Sequence, residues 1–112
     1  MTAEDVRVAL QRLLSQVGHW ETDRWAAAAG SGPVGGDGSG GSRGDVVFGL
    51  VQRLADLGAE AEGRASLPVP REPDMILPDQ LKVMVDDLVA AGPPETLLTR
   101  AADEIGAARS AL

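Results

Sequence analysis

The sequence predicts an all-α protein, a small four-helix bundle, on three observations. Four stretches place apolar residues at i, i+3, i+4 and i+7, the spacing that puts them on one face of a helix. Residues that start and stop helices flank these stretches. The two long segments between them are rich in glycine or proline, which interrupt regular structure. With 112 residues, one domain spanning 1–112 is expected, large enough to be stable by roughly 5 to 15 kcal/mol without cross-links.

The first helix is expected from Ala3 to Val17. Thr2 and Asp5 have capping-box spacing, Val6, Ala9, Leu10, Leu13, Leu14 and Val17 form the apolar stripe, and Gly18 supplies the stop. After His19-Trp20-Glu21, Thr22 is expected to cap a short helix that ends at Gly30. Residues 30–44 hold eight glycines in fifteen positions, with only Val34 to bury. Ordering them would cost more entropy than burial returns, so a disordered loop is expected between the first and second long helices.

Ser42 and Asp45 repeat the capping-box spacing and open the second long helix, from about Arg43 to Glu62 with its end at Gly63. Its apolar arc is unusually wide. Val46, Val47, Leu50, Val51, Leu54, Leu57 and Ala61 form the stripe, and Phe48, Ala55 and Ala59 extend it around the cylinder. Residues 64–77 contain Pro68, Pro70 and Pro73, which remove backbone donors and restrict their predecessors, so an extended connector is expected, anchored by Met75, Ile76 and Leu77. At ~3.1 Å per residue it reaches about 43 Å, more than the ~30 Å of a 20-residue helix, so the helices on either side can run in either relative direction.

Pro78 suits the first turn of a third long helix through Ala91, with Leu77, Leu81, Met84, Val85, Leu88 and Ala91 inward and Gly92 at its end. A fourth is expected from Glu95 to Ala111, with Leu97, Leu98, Ala101, Ala102, Ile105, Ala108 and Leu112 on one side and Arg109 near its negative end. The short Gly-Pro-Pro link predicts that these two helices form an antiparallel hairpin.

Composition narrows the function. There is one histidine, one lysine, no cysteine and no tyrosine, which removes thiolate chemistry and disulfides and leaves few reactive groups. The net charge is −7, and Glu72 to Glu104 alone carries eight acids against two bases. Such a surface repels phosphate backbones, so no nucleic-acid binding is expected. The opening residues lack the basic and apolar regions of an export signal, and no apolar run approaches the roughly 20 residues of a membrane span, so a soluble cytoplasmic protein is expected.

No motif assigns a catalytic, cofactor or metal site. Gly30, Gly32, Gly35 and Gly36, Gly38, Gly41 match a dinucleotide-binding spacing, but no strand precedes them. Arg43-Gly44-Asp45 spells an adhesion tripeptide but reads better as a helix start. His19, the single imidazole, lacks the companions of a hydrolase triad or a histidine metal site. Asp79, Asp86, Asp87, Asp103 and Glu104 read as a solvated acidic face, and the P-x-x-P stretch within Leu67–Pro73 as a structural wrap. Trp20 and Trp25 suit either a lid over one end of the bundle or an anchor for a partner.

The candidate partner contacts are therefore Trp20, Trp25, Phe48, Ala55 and Ala59. The expected role is a non-catalytic module that binds an unknown protein partner or forms a homodimer, without a cofactor. Two alternatives follow: a small-molecule binder or enzyme using an inter-helix cleft near His19, and an acidic, antitoxin-like mimic of the ligand of a basic protein.

Overall fold

In the computed structural model, residues 1–29 and 41–112 are described, and α1 (Ala3–Val17) begins as the sequence predicts. The Thr2 hydroxyl accepts from the Asp5 N–H at 3.3 Å while the Asp5 carboxylate accepts from the Thr2 N–H at 2.8 Å, satisfying two donors that a bare helix start would leave open. The turn after α1 leads to α2 (Thr22–Ala26), which is shorter than expected and is capped differently. Thr22 is its first helical residue, and Glu21 occupies the cap position without a side-chain hydrogen bond. The helix stops because the next residues turn to the backbone of 41–43: Ala27 C=O accepts from Arg43 N–H at 2.9 Å, and Ala28 bridges Ser42. Of the Gly-rich loop expected over 30–44, residues 30–40 lie outside the described residues.

Ser42 and Asp45 form the second capping box and start α3 (Arg43–Ala61). It ends in a Schellman motif, in which Gly63 adopts φ +68°, its N–H reaches Glu60 C=O, and the Arg64 N–H reaches Ala59 C=O. The extended connector is shorter than expected, because residues 74–76 coil into a 3-10 turn that runs directly into α4 (Leu77–Ala90). Leu77 is fully buried, whereas Met75 and Ile76 are exposed at 56% and 41%, so of the three expected anchors only Leu77 holds the connector to the core. The last helix is α5 (Glu95–Ala111).

The protein is thus mainly helical: five helices, four of them long, and no strand among the described residues. The inward stripes supply the core, with Leu13, Leu50, Leu54, Leu81, Leu88 and Ile105 essentially inaccessible. Each such side chain contributes about 1.5–3 kcal/mol by leaving water. No polar or charged residue is buried among them.

The packing corrects one expectation. α4 and α5 do not lie against each other as a hairpin; each packs instead against α1 and α3. Residues 91–94 explain how. Gly92 takes φ +63° and Pro94 is extended, and four residues at ~3.3 Å each reach about 13 Å, enough to cross between non-adjacent helices whose neighbours are 8–10 Å apart.

Long-range contacts fix the relative directions. Met1 meets Glu95 at 2.9 Å, so α1 and α5 begin at the same end. Arg7 meets Asp86 at 2.7 Å and Arg100 meets Glu60 at 2.9 Å, which sets α4 and α3 running the other way. α3 and α4 are therefore parallel neighbours, and the connector between them must travel back along α3.

Candidate functional site

The route of the connector shapes an apolar groove on the surface. The Gln52 side chain, on the outer side of α3, donates to Leu67 C=O at 3.0 Å and accepts from Val69 N–H at 2.7 Å. In an extended chain these two groups lie on one edge, so the carboxamide pairs with it as a neighbouring strand would. One helical turn on, Asp56 accepts from both Gln52 (2.9 Å) and the Ser66 hydroxyl. Towards the start of α3, the Arg71 guanidinium lies 5.1 Å from the centre of the Phe48 ring and pairs with Asp74 at 2.6 Å. At Gly44 a Cβ would run into the Asp74 carboxylate, so a side chain there would displace that carboxylate.

This strap covers one margin of α3 but does not fill the angle between α3 and α4. A groove with about 250 Å³ of open space remains, floored by Leu54, Ala55, Gly58 and Met84. Leu67 to Pro70 form one wall, and Glu62, Arg64 and Asp87 line it as well. Leu67 is 68% exposed, the most exposed large apolar side chain among the described residues. Arg64 is held by Glu62 at 2.8 Å.

The candidate contacts named from the sequence separate into two groups. Trp20 and Trp25 are buried, at 6% and 1% exposure, with ring centres 5.1 Å apart in an edge-to-face arrangement. The guanidinium groups of Arg24 and Arg43 lie 5.7 and 5.6 Å from the Trp20 ring. Ala59 is buried as well, while Phe48 and Ala55 are half-buried. Phe48 lies beneath Arg71, and Ala55 lines the groove. The wide arc of α3 thus meets the chain's own connector, a partner that helix periodicity does not reveal. Gly58 and Met84 were missed, because glycine carries no pattern signal and Met84 counted as one more member of an inward stripe.

His19 is exposed in the turn between α1 and α2, and the groove residues do not include it. The carboxylates singled out from the sequence are dispersed: Asp86 pairs with Arg7 on α1 and Glu104 with Arg53 on α3. Among the described residues no group of three or more His, Asp or Glu side chains is placed to hold a metal ion. Nor is any described helix long and apolar enough to cross a membrane.

Among the described residues two carboxyl groups titrate away from their ordinary range, and both serve helix starts. The Thr2 backbone N–H, then its hydroxyl, holds Asp5 low. The Ser42 backbone N–H does most to lower Asp45, with Arg71 assisting and burial opposing. These shifts belong to capping. No family model, curated protein or solved structure matches the chain.

Proposed function

We propose that this chain is a single-domain four-helix bundle that acts as a protein–protein interaction module, without a cofactor or an active site of its own. The observation carrying this reading is the groove between α3 and α4, an apolar floor beside the exposed Leu67. Exposed apolar surface rimmed by polar groups suits a protein contact, since covering it removes it from water. The occupant is either a different protein or a second copy.

Light scattering across a range of concentrations, together with co-purification on the tagged full chain, tests the proposal. The expected result is a dimer, or a retained protein whose yield falls when Leu67→Asp places a charge beside the groove. A wild-type chain that stays monomeric and retains no protein overturns it.

A second reading, the acidic mimic, is favoured by the exposed carboxylates Asp79, Asp86 and Asp87 on α4. A complex held by them weakens sharply as salt rises, whereas one held by the apolar floor does not.

A further inference from the structure

Gly58 has no explanation inside the chain. It sits within α3, where glycine is less stable than alanine because the unfolded chain has more freedom to lose. Its φ is not in the left-handed region; among the described glycines only Gly41, Gly63 and Gly92 are. Nor is it needed for packing, because a Cβ there would meet no atom within 4 Å beyond its chain neighbours and the backbone of its own helical turns. Gly44 shows the contrast, since its Cβ would strike Asp74. Gly106 also faces open space, but it lies on the exposed side of α5, whereas Gly58 is buried by its neighbours at the groove floor.

The chemistry around the gap is specific in sign. Glu62 and Arg64 on the rim neutralise each other as an ion pair, and Asp87 leaves the lining with a net charge of −1 (two carboxylates against one guanidinium). In the wall from Pro68 to Pro70 the prolines have no N–H, and the Val69 N–H is taken by Gln52. From Pro68 to Pro70 the wall therefore has no free backbone donor to offer, only carbonyl acceptors. Carbonyl acceptors and the Asp87 carboxylate beside an apolar floor suit a ligand that brings donors and positive charge with an apolar side chain. The space is sufficient: an apolar cavity of about 150 Å³ accommodates benzene, and this groove is larger.

We infer that the groove over Gly58 receives one large apolar side chain, leucine- or phenylalanine-sized, from a cationic peptide segment of another protein. The inference rests on the interaction-module reading and deepens it by naming the chemistry of the partner.

The test is a titration of the full chain, followed by NMR of the Ala55 and Met84 methyl groups. One probe is the capped peptide Lys-Lys-Leu-Phe-Lys-Lys, and its controls are Glu-Glu-Leu-Phe-Glu-Glu and Lys-Lys-Ala-Ala-Lys-Lys. Saturable shifts with the first peptide alone are expected. Gly58→Met, which fills the space from within, should weaken binding by about tenfold or more, as should the exposed rim change Asp87→Lys. No saturable shift, equal binding of the acidic control, or unchanged binding in both variants overturns the proposal. Shifts that follow protein concentration without peptide also overturn it, by making a second copy the occupant. If co-purification retains a partner and Gly58→Met retains it equally, the module reading stands and the groove assignment falls.

Discussion

The two ends of α3 are covered in different ways. Near its start, α2 packs against it, Trp20 and Trp25 meet edge to face, and Arg43 lies over Trp20. Towards its end, Ala55 and Gly58 line the groove beside Met84, and the connector that passes them is fastened by hydrogen bonds to Gln52 and Asp56. Large rings close the first end; small residues leave the second open. The two tryptophans are therefore committed to holding the molecule together, whereas the groove stays open where α3 carries residues too small to fill it.

That contrast breaks most visibly at Trp25. Truncating a buried aromatic side chain removes its transfer free energy and leaves a cavity, so Trp25→Ala should destabilise the fold by about 3–5 kcal/mol in urea denaturation. If the variant instead unfolds like the wild type while losing a partner, the rings are anchors and the comparison between the two ends fails. At the other end, Gln52→Ala should cost about 1 to 2 kcal/mol, since it removes both bonds to the connector and the bond to Asp56. Its sharper signature is local: trypsin should cut at Arg64 and Arg71 faster than the global stability change requires. Equal cleavage rates would show that Gln52 does not fasten the strap.

Gly58 sharpens the comparison in the opposite direction. With a helical backbone and space around its Cβ, Gly58→Ala should stabilise the protein by about 0.5–1 kcal/mol, read as a higher urea midpoint with an unchanged slope. A loss of stability would mean that the floor of the groove is already packed, removing the reason to place a ligand there.

Local signals were legible in the sequence, and relations between distant segments were not. The starts of α1 and α3 follow from Thr2 with Asp5 and from Ser42 with Asp45, because a capping box is complete within four residues. The inner stripes follow from helical periodicity. The separation of α4 from α5 did not, since Gly92 and the prolines fix a sharp turn but not which neighbour each helix finds. Nor did the parallel course of α3 and α4, which depends on a carboxamide at Gln52 meeting a backbone edge fifteen residues on. Thr22 misled because a hydroxyl at the first helical position resembles one at the cap. The groove was hidden for a related reason: an empty volume is set by what several segments fail to fill, and no single stretch records it.

The smallest expected effect concerns the start of α3, where capping and the strap meet. Asp45 is held below the ordinary carboxylate range, chiefly by the Ser42 N–H and further by Arg71. Because the folded protein binds this proton less readily than the unfolded chain, the stabilisation is fully present above the ordinary carboxylate pKa of about 4. It fades as pH falls and is lost below the folded value. Asp45 is exposed, so solvent screens the interaction, and its charge is worth only about 0.3 kcal/mol. Asp45→Asn keeps an oxygen that can accept from Ser42 but removes the titrating charge. Stability measured from pH 7 to pH 3 should then fall less steeply than in the wild type, and the two curves should converge at the acid end. Parallel curves would mean that the charge contributes nothing beyond the hydrogen bond, and that Arg71 is held at this end of the strap by Asp74 and the Phe48 ring alone.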